Sequence, residues 1–251
     1  MHPVLFQFGS FTVHAYGTLV LLAVFVAVGS AYVAAARLKL AERAVIAAGI
    51  AMLFGLIVGA RYGGIFDARG GGASAILSAG LSLAPGVIFG SLLVIPITLA
   101  FRAPLATMFD VLTPALLVGL GIGRVGCFLA GCCYGRPSDL PWAMHFPMLP
   151  AEFAGHGAQP LQLYLALAWL LSAAALFGAL GRAKFQGQVA LLGVSAFCVT
   201  SLSARLFRYE PQPLTLAPTI AWLVVLVVAL VLAFSPPLPR GLRIHHILKD
   251  E

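Results

Sequence analysis

Seven mostly apolar stretches, each about 20 residues long, dominate the chain at 16–36, 44–66, 82–101, 106–126, 160–180, 187–207 and 215–234. A helix needs about that many apolar residues to cross the hydrocarbon core of a bilayer. The chain therefore reads as an all-α, polytopic membrane protein with seven spans. The third stretch is interrupted by Pro85 and Pro96, and the sixth is diluted by Ser and Thr.

Composition agrees. The 251 residues are 61% hydrophobic and 9% charged, against about 25% charged in soluble domains. No polar half could form a second domain, so 1–251 is expected to be one integral membrane domain. The start lacks a basic region and a convincing cleavage site, so it does not read as a removable signal peptide. The formal charge of +7 would raise nucleic acid as a partner in a soluble protein. Here the basic residues sit in short clusters between apolar runs, and anionic lipid accounts for them better. No nucleic-acid partner is expected.

The basic residues also set orientation. Arg37, Lys39, Arg43, Arg102, Arg182, Lys184, Arg240, Arg243 and Lys249 fall on one set of connections. Arg61, Arg69, Arg124, Arg136, Arg205 and Arg208 fall on the other. Nine against six puts the first set in the cytoplasm. Seven spans then place the N-terminus outside and the C-terminus, with a polar tail at 235–251, inside. The outer set differs in kind, because Arg61, Arg124 and Arg205 adjoin or lie within apolar stretches. A charge at membrane depth costs about 2.5–3.5 kcal/mol or more unless paired or wetted. Three such arginines near one face point to one anionic target.

The long extramembrane stretch, 131–159, lies on that outer face. It is too short for a domain and is expected to be an ordered cap with interfacial helices. Just before and into it runs Gly121-Ile-Gly-Arg124-Val-Gly126-Cys127-Phe-Leu-Ala-Gly131-Cys132-Cys133-Tyr134-Gly135-Arg136-Pro137. Glycines expose backbone N–H groups and let a ligand approach closely. Arginine presents a donor fork matched to phosphate oxygens. Phosphate recognition needs that combination, although tight helix packing through small residues would use the same glycines.

The string from Gly123 to Arg136 resembles the signature of the bacterial prolipoprotein diacylglyceryl transferase family, G-R-[IL]-G-N-F-x-N-G-E-x-x-G-R. Other pieces are similar and fall in the same order: Val13-His14-Ala15-Tyr16-Gly17 near the start, Gly59-Ala60-Arg61 on the second span, Asp110 on the fourth, and Gln159-Pro160-Leu161-Gln162-Leu163-Tyr164. The resemblance covers nearly the whole chain. It implies transfer of diacylglycerol from phosphatidylglycerol to the lipobox cysteine thiol of prolipoproteins, with glycerol phosphate released, at the outer face of the inner membrane. The implied partners are phosphatidylglycerol, prolipoprotein signal peptides and membrane lipid, and no cofactor is implied.

On this resemblance the residues expected to act in catalysis are Arg124, Tyr16, Arg205 and Arg208. Those expected to bind substrate are Arg61, Arg124, Gly126, Gly131, Gly135, Arg136, Gln162 and His14. The arginines would hold the lipid phosphate and the charge that develops on it, and the acceptor thiol must become a thiolate. The departures from the signature are local. Its two Asn positions hold Cys127 and Ala130, its Glu position holds Cys132, and the His that the family carries at the third span is Ala84. The family's sixth-span R-F-x-x-E-x-x-R fits in two registers. One places Arg208 at the last Arg; the other places Arg205 at the first, with Glu210 one residue beyond the Glu position.

These departures keep open a relative that binds anionic phospholipid but performs a different reaction or none. A transporter of an anionic solute is a further alternative. The adjacent pair Cys132-Cys133 is poor zinc spacing, so no metal is expected. The cysteines are expected to be small packing residues in a tight turn, with a disulfide from Cys127 to Cys132 or Cys133 as the alternative.

Overall fold

The computed structural model describes residues 4–8, 11–67, 83–147, 149–150, 156–208 and 216–235. Seven apolar helices account for most of them. We number these α1 (Ala15–Arg37), α2 (Glu42–Asp67), α3 (Leu83–Ala100), α4 (Leu105–Ala130), α5 (Leu161–Ala179), α6 (Gln188–Phe207) and α7 (Leu216–Phe234). A 3₁₀ turn, Leu180–Arg182, extends α5. Six of the helices are long and apolar enough to cross a membrane, and the seventh contributes a shorter apolar stretch, Thr219–Phe234. The Ser and Thr residues of α6 do not interrupt it. Ser195 and Ser203 turn their hydroxyls back to carbonyls four residues earlier, at 2.9 Å each.

The side chains follow a bilayer rather than water. Phe25, Phe54, Leu167 and Val227 are exposed on the helices, where lipid tails would cover them. The core is lined by small residues at helix crossings. Gly55 and Gly59 of α2 meet Gly90 and Phe89 of α3, and a Cβ on either glycine would come within 2.6 Å of its neighbour. This close approach is the usual basis of packing between helices in lipid.

Helix α4 is the centre of the bundle. It packs against α1, α5 and α6, and Met108, Val111 and Leu117 are buried along it. Near its start, buried Asp110 accepts hydrogen bonds from the backbone N–H groups of Gly187 at 2.6 Å and Ala190 at 2.8 Å. These N–H groups open α6 and have no partner within that helix. Asp110 therefore caps α6 from a neighbouring helix.

Two elements differ from the sequence reading. Near the start, β1 (Val4–Phe8) pairs antiparallel with β2 (Phe11–His14), which leads into α1. In the cap, 131–159, no helix occurs among the described residues. Short strands β3 (Pro137–Ser138) and β4 (Gly157–Ala158) pair there instead. Pro137, Pro141, Pro147 and Pro150 explain this, since proline removes a helical N–H donor and restricts the residue before it. The tail beyond 235, Glu210, and positions 79–82 of the third-span stretch lie outside the described residues.

Candidate functional site

The predicted phosphate string spans the end of α4 and the turn beyond it. Helix α4 runs on past Arg124 and stops at Gly131, whose backbone is left-handed (φ 76°) and whose N–H returns to the Phe128 carbonyl. Only glycine takes this conformation without strain. Cys133 is left-handed as well (φ 62°). Two reversals within three residues fold the chain back over the helix end.

The folded-back turn is then stitched to distant elements. The Gly135 N–H donates to the Gln159 carbonyl at 2.8 Å, and the Arg136 N–H donates to the Phe207 carbonyl at 2.8 Å. Gly135 lies so close to Gln159 and Phe207 that a Cβ would sit 3.0 Å from each. Gly135 and Arg208 form an antiparallel bridge, so the end of α6 is carried to the end of α4. Gln162, fully buried in the first turn of α5, donates from Nε2 to the Cys132 carbonyl at 2.5 Å. The cap closes over this end through Phe146, which stacks on Tyr134 at 5.2 Å and meets the edge of Phe128 at 6.4 Å. The Trp142 indole N–H fastens the cap to the Tyr164 hydroxyl at 2.7 Å.

Arg124 is half-buried and turns into the bundle. Its guanidinium carbon lies 5.2 Å from the centroid of the Trp169 ring, a cation–π contact of about 0.5–2 kcal/mol. On the α1 side, Gly126 packs against Tyr16 and Leu19; an added Cβ would be 3.3 Å and 3.4 Å from them. The Tyr16 hydroxyl is within electrostatic reach of Arg124 and of Cys127, Cys132 and Cys133. Both Arg208 and Arg124 act on Cys133. The neighbouring Cys127 and Cys132 thiols hold the Cys133 thiol below the usual thiol range despite its burial, and the two arginines lower it further.

The structure thus gathers Tyr16, Arg124, Gly126, Gly131, Gly135, Gln162 and Arg208 around one helix end. Arg205 is half-buried on the last turn of α6. Arg136 contributes its backbone to the stitching, while its side chain is exposed. Arg61 is half-buried near the end of α2, a helix that packs chiefly on α3. It belongs to the wall of the bundle that α2 and α3 form. His14 is exposed at the end of β2, and its carbonyl accepts from Thr18 at 3.1 Å.

Sequence reasoning missed two things. Trp169 is the platform under Arg124, and its pairing with Thr200 crosses between helices, 31 residues apart in the chain. The three thiols of Cys127, Cys132 and Cys133 also converge, all within 4.8 Å of one another. Linear spacing made them poor partners, but the left-handed residues bring them together.

Comparison with known proteins identifies the family. A sequence model of the prolipoprotein diacylglyceryl transferase family matches residues 3–234. A Polynucleobacter necessarius protein named phosphatidylglycerol–prolipoprotein diacylglyceryl transferase is 30% identical over 208 residues, covering 74% of this chain and 75% of that protein. Like-named proteins from Clostridium tetani and Bordetella avium are 33% and 42% identical over 105 and 95 residues. Those two matches span 42% and 35% of the relatives' own lengths. The family model follows the chain from β1, through the glycine–arginine turn, to the end of the last helix. This chain belongs to the prolipoprotein diacylglyceryl transferase family.

Proposed function

We propose that the protein transfers diacylglycerol from phosphatidylglycerol to the lipobox cysteine thiol of prolipoproteins. The observation that carries this reading is the gathering of Arg124, Arg208 and Tyr16 at the glycine-rich end of α4. Arg124 and Arg208 are the groups to hold the lipid phosphate. Their forks match its oxygens, and their charge stabilises the glycerol phosphate as it leaves. Tyr16 donates a hydrogen bond to the same group. The acceptor sulfur attacks the glyceryl carbon, the carbon–oxygen bond to phosphate breaks, and the leaving group takes the bonding pair.

The site lies at the outer face of the inner membrane, with the N-terminus periplasmic and the C-terminus cytoplasmic. The distribution of Lys and Arg between the connections supports that orientation. Phosphatidylglycerol enters from the surrounding leaflet, and the signal peptide of the prolipoprotein presents its cysteine beneath the cap.

Complementation is the cellular test. Expressed in a cell depleted of its own transferase, the protein is expected to restore growth and the lipidation of prolipoproteins, and its Arg124→Ala variant is not. Unmodified prolipoprotein accumulating despite normal membrane insertion of the protein would overturn the reading.

A further inference from the structure

Three cysteines occupy the positions where this chain departs most from the signature it otherwise follows, or lie beside them. Cys127 sits in the last turn of α4. The Cys132 N–H returns to the Cys127 carbonyl at 3.1 Å, and the Cys132 sulfur lies 3.6 Å from the same carbonyl. Cys133 follows in a left-handed conformation (φ 62°) that costs a residue with a side chain about 1–2 kcal/mol. The result is three sulfurs, each half-buried, all within 4.8 Å of one another.

Ordinary packing does not call for this. A glycine at 133 would make the same turn without strain, and a disulfide would use two of the sulfurs and leave the third. Three sulfurs around one point suit a soft or borderline metal ion. Zinc–sulfur bonds of about 2.3 Å in tetrahedral geometry space the sulfurs by about 3.8 Å, so the cluster closes on an ion by side-chain shifts of less than about 1 Å. Three thiolates around a divalent ion leave one negative charge, and two cations belong to this end of the bundle: Arg124, on α4 just before Cys127, and Arg208, bridged to Gly135. Gln162 anchors the Cys132 carbonyl from a fully buried position, and its Oε1 has no hydrogen-bond partner among the described residues. Three protein ligands with the fourth position open is the pattern of reactive zinc rather than structural zinc.

We propose that Cys127, Cys132 and Cys133 bind one zinc ion, and that its open position takes up the acceptor cysteine as a thiolate. The second half rests on the transferase reading. A thiol that coordinates zinc is deprotonated outright, and its proton passes to water. The zinc-held sulfur then forms its bond to the glyceryl carbon, glycerol phosphate leaves with the electron pair of the broken carbon–oxygen bond, and the zinc is unchanged. This supplies thiol activation where the chain has Ala84 and Cys132 in place of the family's histidine and glutamate.

The test uses the full-length protein in detergent, reduced, stripped with chelator and reloaded with zinc. One zinc per chain is expected after desalting. Cys127→Ser should lose it, and Cys198→Ala, whose sulfur is buried elsewhere in α6, should keep it. Cys133→Gly removes a ligand while relieving the left-handed strain, so it should stay folded and still lose the metal. Cobalt in place of zinc should show thiolate-to-metal charge-transfer absorption. That spectrum should shift on adding a lipobox peptide with cysteine, and not with the serine version. Failure to hold zinc, or zinc held equally by Cys133→Gly, overturns the proposal, as does copper(I) binding with no response to the peptide. Full transfer by the stripped protein overturns the role of the metal and leaves the transferase reading intact. Zinc binding with a peptide response but no lipid transfer supports the metal site and overturns the transferase reading instead.

Discussion

The Arg124 guanidinium lies over the face of Trp169 at 5.2 Å, and the indole N–H of that ring is tied to Thr200 at 2.7 Å. Trp169 also stacks on Phe197, with ring centroids 6.2 Å apart. An arginine near the end of a membrane helix is thus held against a ring that is itself fixed by a hydrogen bond and a stack. Arg124→Lys keeps the charge but loses both the planar contact and the fork. Its initial rate of transfer is expected to fall by about 10²-fold or more, the usual consequence of removing one donor to a developing oxyanion. Trp169→Leu should cause a smaller loss, read in the same assay. Wild-type rates from Arg124→Lys would show that bidentate contact is not used.

Gly126 sets the position of Tyr16. A methyl at 126 would meet the tyrosine ring and Leu19 at 3.3–3.4 Å, which a small shift relieves, whereas a branched side chain would force α1 away. Gly126→Ala is expected to retain most activity. Gly126→Val should lose about 10²-fold, the scale of a misplacement of about 1 Å at a reacting centre. Size-exclusion profiles should show both variants folded. Equal activity in the two variants would contradict the close contact.

Asp110 has a structural task. It is 14 residues before Arg124 on the same helix, which puts it about 21 Å away along the axis. Burial raises the cost of its charge, and the N–H groups of Gly187 and Ala190 offset that cost. Asp110→Ala leaves those N–H groups unpaired and should destabilise the protein by about 1–3 kcal/mol. Asp110→Asn keeps one acceptor oxygen and should cost less. Thermal midpoints in detergent check both. Turnover abolished in Asp110→Ala with an unchanged midpoint would contradict the capping account.

Orientation is checked in cells. A reporter fused after Glu251 should behave as cytoplasmic, and one at the N-terminus as periplasmic. The reverse pattern would put the Arg124 end of the bundle on the wrong side of the membrane for lipoprotein precursors.

Much of this architecture is visible in one dimension because bilayer thickness fixes helix length. Each apolar run became a helix with ends within a few residues of the predicted ones. The fourth is the exception: it continues four residues past 126 to Ala130, because its stop is set by Gly131 rather than by polarity. The pairing of β1 with β2 has a sequence signal in their phenylalanines, Phe6, Phe8 and Phe11, but a reading built on membrane helices passes over so short a stretch. In the described residues of the cap the expected helices do not occur, and its four prolines account for that. What the sequence could not show were pairings across long separations. Asp110 with Gly187, Trp169 with Thr200, and Gly135 with Arg208 each join elements whose contact depends on the whole bundle. The cysteines show the same limit at short range. Spacing argued against zinc while leaving Cys127 free to meet Cys132 or Cys133, and backbone reversals at Gly131 and Cys133 bring all three together.

The most direct test of the account is transfer itself. The purified, zinc-loaded protein is given phosphatidylglycerol vesicles and a peptide carrying a lipobox cysteine, and two products are followed by mass spectrometry. A peptide carrying diacylglycerol on its sulfur and an equal amount of glycerol phosphate are expected. Both should be absent when serine replaces the peptide cysteine, and both should be lost in Arg124→Ala. A protein that binds the vesicles yet leaves the cysteine peptide unmodified and releases no glycerol phosphate would contradict it.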